Sequence, residues 1–141
     1  MGRQAPAATA VIIHDLDHAR AVLAAAAEFD RPVTLVSAPG AAGIAGAAWF
    51  LKVVSLAAAD HPDAAWDAVL DCADKPGHVL AALRQGAEAL RYTGSKATAA
   101  KLAAIAEQCG ARLERGRLKA HDLRGEADPR AACRSWIGGK G

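Results

Sequence analysis

The chain has 141 residues, of which 52% are hydrophobic, and a formal net charge of +2. This length suits a single domain, and so small a net charge gives no sign of a strongly basic or acidic partner. Residues 1–83 carry five basic and nine acidic side chains (−4), whereas residues 84–141 carry twelve and six (+6). Aromatic residues make up only 4% of the chain, so stacking on nucleic-acid bases is disfavoured.

Three cysteines are present, an odd number without the paired spacing of a structural metal site. The first residues lack the apolar segment of a secretory signal, and residues 1–9 are predicted to be a disordered tail. Both features favour free thiols in a reducing compartment. The sequence therefore predicts a cytoplasmic protein.

Short apolar runs alternate with helical patterns along the chain. Such an alternation predicts an α/β domain over residues 10–127, with a C-terminal helix and flexible end at 128–141. The fold is expected to be a parallel sheet of five or six strands, either half of a (β/α) barrel or an open Rossmann-like sheet. The predicted strands are Ala10–His14, Val33–Ser37, Ala68–Asp71, Ala89–Tyr92, Ala111–Glu114 and, as a candidate sixth, Leu118–His121. The predicted helices follow Asp15, cover Ala41–Ala59, 77–86 and Lys96–Gln108, and start again at Asp128.

The segment Ala41–Ala59 is the most apolar, and Lys52 is its one charge. Its length barely reaches that of a membrane span, and Lys52 near its middle disfavours insertion. A helix that is apolar on two faces must bury both. We predict that one stripe (Ile44, Ala48, Leu51, Ser55) covers the sheet and another (Trp49, Val53, Leu56) meets a second subunit, making a homo-oligomer.

Polar residues follow the predicted strands at the point where each ends. Because the carboxyl ends of parallel strands share one rim, these residues are expected to lie near one another. Asp71 is a candidate acid/base, and a ligand pocket would draw on the same rim. The candidates are His14 and Cys72 for a metal, Asp71 for catalysis, and Ser37, Gly40, Thr93 and Ser95 for a substrate.

Each candidate also has a structural interpretation, and the residues alone leave both open. Cys72 can be a small core residue, Asp74 can cap a helix, and His78 can be solvated. Ser37 and the glycine-rich segment from Gly40 can hold an anion at a helix start. Thr93 and Ser95 can bind a phosphate or cap the next helix.

Several segments in order resemble the first half of the class II fructose-bisphosphate (ketose-bisphosphate) aldolases, over roughly residues 11–114. Leu70-Asp71-Cys72 stands where that family has Leu-Asp-His, and Thr93-Gly94-Ser95 where it has Asp-Gly-Ser. The segments that carry the resemblance are Asp15–Leu23, Pro32–Ser37, Gly40–Gly46, Leu70–Cys72, Ala82–Gly86, Thr93–Ser95 and Leu113–Glu114.

The resemblance implies a zinc-dependent (β/α)8 scaffold in which zinc polarises a ketose carbonyl. By position, Asp71 would be the acid/base, Cys72 would take the zinc-ligand place and Ser37 would lie near the substrate. The second half of that barrel, with its other zinc ligands and phosphate loops, has no counterpart here, so we expect no authentic aldolase activity. Two hypotheses stay open: a protein that binds a small phosphorylated or carbonyl ligand at the rim, and a non-catalytic homo-oligomeric interaction or regulatory module.

Overall fold

A computed structural model describes residues 9–44 and 46–139. Strands and helices alternate, as the apolar runs predict, and most boundaries agree with prediction to within about two residues. The strands are β1 (Thr9–Ile13), β2 (Val33–Ser37), β3 (Trp66–Asp71), β4 (Ala89–Arg91), β5 (Arg112–Glu114) and β6 (Ala120–Asp122). The helices are α1 (Leu16–Phe29), α2 (Ala41–Ile44), α3 (Ala47–Ala59), α4 (Pro76–Arg84), α5 (Lys96–Gln108) and α6 (Pro129–Cys133), which continues as a π-helical turn (Arg134–Gly138).

The six strands form one sheet in the order β5-β4-β3-β2-β1-β6, with β5 and β6 at its ends. Strand pairing is parallel, with Leu70 opposite Leu90 and Ala10 opposite Ala120. This confirms the predicted α/β class with a parallel sheet, which is open within the described residues. The chain groups into two compact units: described residues 9–36, 53–67 and 119–139 form the first unit, and 37–44, 46–52 and 68–118 form the second.

In the first unit, α1 begins where Asp15 caps the helix by accepting a hydrogen bond from the His18 amide at 2.8 Å. Its core face buries small and branched side chains, Val22 and Leu23 among them. Asp128 likewise caps α6 through the Ala131 amide, as its Asp-Pro sequence predicts.

The C-terminal segment is fixed in the first unit by polar contacts made from its last helical turns. Trp136 Nε1 donates to the Ala10 carbonyl at 3.0 Å, which ties the π-helical turn to β1. Arg134 donates to both carboxylate oxygens of Glu28 at 2.7–2.8 Å and lies over the Phe29 ring. The predicted C-terminal helix has two parts, because the α-helix ends at Cys133 and the π-helical turn follows it.

The predicted continuous helix Ala41–Ala59 is wrong in one respect. The segment is divided into α2 and α3, and Gly46, just before α3, has a φ of +87° that favours glycine. No helix among the described residues is long and apolar enough to cross a membrane.

The predicted sheet-facing stripe of α3 is also wrong, because Ala48 and Ser55 are exposed and the buried face runs through different residues. Phe50, Val54 and Ala57 are buried together with Val53. Trp49 and Leu56, expected to share a stripe with Val53, are 39% and 44% exposed. One α3 face is therefore buried, and the other presents apolar side chains to solvent.

Candidate functional site

Asp71, the last residue of β3, is buried in the second unit and its carboxylate is held by backbone donors. Its Oδ1 accepts hydrogen bonds from the Gly40 amide at 2.9 Å and the Ala73 amide at 2.8 Å. Its own amide donates to Ser37 Oγ at 2.8 Å. The structure thus brings together three predicted site residues, Ser37, Gly40 and Asp71, and uses each in a hydrogen bond to another.

Arg91, the last residue of β4, completes this group and was not predicted. In the parallel register Asp71 lies opposite Arg91, and Arg91 Nε is 3.8 Å from Asp71 Oδ2. The guanidinium also donates to the Gly116 carbonyl after β5. Ser37, Asp71 and Arg91 are the buried polar and charged residues of the described chain. We call Ser37, Gly40, Asp71, Ala73 and Arg91 the strand-end cluster.

The sequence did contain a signal for Arg91. It stands between Leu90 and Tyr92 at the end of a predicted buried strand, and a buried guanidinium requires an acceptor. Asp71 ends the neighbouring strand at the matching position, so a charge at the end of each of two adjacent strands could have indicated the pair.

Cys72 follows Asp71 along the chain, and none of its surface is exposed. Its Sγ is directed at the Leu70 carbonyl, 3.9 Å away. Burial, helped by the negative charge of Asp71, raises the pKa of the Cys72 thiol to about 12. Zinc is bound by the thiolate, so this environment opposes ligation.

His14, the other candidate metal ligand, belongs to the first unit. Its Nε2 is 2.6 Å from Asp122 Oδ1, and its backbone amide donates to His18 Nδ1 at 3.0 Å. The two imidazoles meet edge to face, with their centroids 5.7 Å apart. Since His18 Nδ1 accepts a hydrogen bond, the His18 ring proton is on Nε2 in its neutral form.

The zinc centre that the resemblance implies does not fit these residues. Cys72 is protonated and buried, and His14 is engaged by Asp122. Across residues 9–44 and 46–139, no group of three or more His, Cys, Asp or Glu side chains is arranged to hold a metal ion.

The turn after β4 carries the remaining candidates, Thr93 and Ser95. The Thr93 amide donates to the Ala73 carbonyl at 2.8 Å, which joins this turn to the one after β3. Ser95 caps α5 by accepting from the Thr98 amide at 3.2 Å, so one of its two predicted roles is filled. Arg115 Nη2 donates to the Gly94 carbonyl at 2.8 Å, and this contact places the positive charge of the guanidinium beside the start of α5.

Gly94 is needed in this turn for a steric reason. A Cβ at this position would lie 2.1 Å from the Tyr92 hydroxyl, far closer than non-bonded atoms approach. Tyr92 is itself buried, so the ring has little freedom to move away. The absence of a side chain therefore lets the turn close tightly over the end of β4.

The structural interpretations of Asp74 and His78 are wrong in detail. The residue at the α4 N-cap position is Lys75, which makes no side-chain cap, and Asp74 is exposed beside it. His78 is only partly exposed, and its ring lies against Gly43, where an added Cβ would be 2.4 Å from Cε1. His78 Nδ1 is buried without a hydrogen-bond partner among the described residues.

Comparison with known proteins supports the fold. A crystal structure of a protein from Coccidioides immitis, assigned as a fructose-1,6-biphosphate aldolase, superposes on 77% of this chain with a TM-score of 0.61 and 20% sequence identity. The scaffold is aldolase-like. The matched region covers 45% of that chain, so this protein corresponds to less than half of its length. No family model and no curated protein matches the sequence.

Proposed function

We propose that this aldolase-like protein binds a small phosphorylated ligand at residues 93–96, the turn between β4 and α5. The observation that supports it best is the hydrogen bond from Arg115 Nη2 to the Gly94 carbonyl. This contact holds a guanidinium at the N-terminus of a thirteen-residue helix. The scaffold also resembles that of a protein assigned to act on a bisphosphorylated sugar.

The chemistry of the turn suits a phosphate. The Thr98 amide is accepted by Ser95, whereas the amides before it in α5 have no acceptor within the helix, and the helix dipole favours an anion there. Thr93 and Lys96 are exposed, and the first turn of α5 contains no acidic residue. Arg115 supplies the planar donor pair that matches phosphate oxygens. A phosphate at this turn would meet backbone amides, a hydroxyl and two cations.

The test is a thermal-shift and calorimetric titration with four probes. Inorganic phosphate and fructose 1,6-bisphosphate are expected to stabilise the protein, whereas fructose and sodium chloride at matched ionic strength are not. Arg115→Gln should weaken the affinity for phosphate about tenfold, as the loss of one charge-assisted contact would. Arg130→Gln removes the same charge from the first turn of α6 and should leave the affinity unchanged.

The proposal fails if none of the phosphorylated probes shifts the melting temperature, or if Arg130→Gln and Arg115→Gln weaken binding equally. The second result would indicate a general effect of net charge. A response to fructose as large as that to fructose 1,6-bisphosphate would show that the sugar, and not its phosphates, is recognised.

A second function, homo-oligomerisation through α3, is favoured by the exposure of Trp49 and Leu56. Lys52 and Asp60 lie four residues before and after Leu56 along the chain. In an antiparallel pair of α3 helices related by a two-fold axis at Leu56, Lys52 of one copy therefore opposes Asp60 of the other. A second copy of this chain is the occupant that we propose for this face.

Sedimentation equilibrium distinguishes this function from a monomeric ligand-binding protein. Leu56→Glu should produce monomers, whereas Ile105→Glu, a change of another exposed apolar residue, should not. Lys52→Asp should weaken association. A wild-type chain that stays monomeric at millimolar concentration would rule the interface out.

A further inference from the structure

We infer that Asp71 and Arg91 form a permanent internal brace that holds the turns after β2, β3 and β5, and that this brace is assembled without zinc. The inference uses the buried pair and does not depend on phosphate binding at residues 93–96. It assigns to Asp71 a role different from the acid/base that the aldolase resemblance implies.

Both charges are buried at matching positions. Asp71 and Arg91 end adjacent parallel strands, directly opposite each other, and each side chain is 10% exposed. A charge removed from water is costly unless it is paired and hydrogen-bonded. Each residue supplies the counter-charge that the other requires.

The pair connects three segments of the chain. The Asp71 carboxylate accepts the Gly40 amide after β2 and the Ala73 amide after β3. Arg91 donates to the Gly116 carbonyl after β5. Three turns of the second unit thus converge on two side chains, and losing either side chain removes the partner of partly buried backbone groups.

Cys72 stands at the position of a zinc ligand in the aldolase family that the sequence resembles. Its sulfur is fully buried and is directed at the Leu70 carbonyl. A metal at Cys72 would also lie beside a carboxylate whose Oδ1 already accepts two amides. Asp71 and Cys72 are thus each engaged by backbone groups, and within residues 9–44 and 46–139 they belong to no group of three or more side chains that could hold a metal ion.

The experiment is a double-mutant cycle followed by thermal melting of Asp71→Asn, Arg91→Met and the double variant. Each single change should lower the melting temperature by about 10 °C or more, because it leaves one buried charge unpaired. The double variant should lose less than the sum of the two single losses. Asp74→Asn, which breaks the exposed Asp74–Lys75 pair, is the matched control and should shift melting by about 2 °C or less.

Two results would overturn the brace: an Asp71→Asn protein that melts within the range of the control, or a double variant whose loss equals or exceeds the sum of the two single losses. The zinc arm uses the wild-type chain, after chelator treatment, with one equivalent of zinc chloride. No change in melting is expected. A rise of several degrees that Cys72→Ala abolishes would show that the site is a zinc site after all.

Discussion

A pair of oppositely charging side chains lies at strand ends in each compact unit. The pair with the shorter contact distance is the more exposed of the two. In the first unit, His14 Nε2 and Asp122 Oδ1 are 2.6 Å apart, and the two side chains are 21% and 45% exposed. In the second unit, Arg91 and Asp71 are 3.8 Å apart and 10% exposed. The longer contact, between Arg91 and Asp71, is therefore the less exposed one. Because exposed pairs contribute little and removal of one partner of a buried pair costs about 3–5 kcal/mol, burial decides which matters.

Burial is expected to have its largest effect on the reaction rates of the three cysteine thiols. Cys72 in the second unit and Cys133 in the first are fully buried, whereas Cys109 is exposed. With a thiol reagent at pH 8, Cys109 should react at once. The other two should react at least about a thousandfold more slowly, because each is reached only when the structure opens locally. Counting released reagent against time, before and after adding denaturant, measures this directly.

Alkaline pH extends the thiol prediction, and its sign follows from the pKa values. Burial raises the pKa of Cys72 and of Cys133 from 9.0 to about 12, helped by the charges of Asp71 and Glu126 respectively. The folded protein therefore retains protons that the unfolded chain loses, and stability declines as the pH rises from 9 towards 12. Cys109→Ala should remove the fast thiol and leave the alkaline decline unchanged; rapid modification of Cys72 would contradict the dry environment described for it.

The fold could be predicted from the sequence because local patterns dominate it. Val33–Ser37 and Lys96–Gln108 have their predicted bounds, since an apolar β-branched run and a capped helix carry their own signals. The helix Ala41–Ala59 could not be resolved in this way. It is apolar on nearly every side, so periodicity does not specify which face is buried, and the position of the break at Gly46 depends on tertiary packing.

The candidate site was predicted in part, for a related reason. Sequence reasoning finds polar residues at strand ends, and it placed Ser37, Gly40 and Asp71 together correctly as neighbours. It did not find Arg91, whose importance depends on the register of β4 against β3. It also could not separate a carboxylate that is free for chemistry from one whose Oδ1 is already occupied by two amides, because backbone donors leave no trace in the sequence.

A change at Ser37, in the buried strand-end cluster, is expected to have an intermediate effect on the free energy of unfolding. Ser37→Ala removes the oxygen that accepts the Asp71 amide and leaves that buried donor unpaired, which should cost about 1–3 kcal/mol of unfolding free energy. Urea denaturation measures the loss. Ser55→Ala, at an exposed position of α3, should change stability by less than about 0.5 kcal/mol. Equal effects at the two serines would mean that the strand-end cluster is no better organised than the surface.

The smallest effect on stability is expected at the His14–Asp122 pair, although its contact is the shorter of the two. Partial burial acts to raise the pKa of Asp122, but the Arg124 amide, the hydrogen bond from His14 and the nearby positive charges outweigh it and lower the pKa below its usual value. Asp122→Asn should therefore cost at most about 1 kcal/mol near neutral pH.

The lowered pKa gives this last prediction its own pH dependence. The folded state holds Asp122 ionised where the unfolded chain would already be protonated, so its contribution is complete above about pH 4 and is lost as the pH falls further. The difference in stability between wild type and Asp122→Asn should shrink in acid and also in high salt, which screens an exposed pair. The buried Asp71–Arg91 pair should show little response to salt. A salt-insensitive loss of several kcal/mol at Asp122 would mean that contact length, and not burial, sets the strength of these pairs.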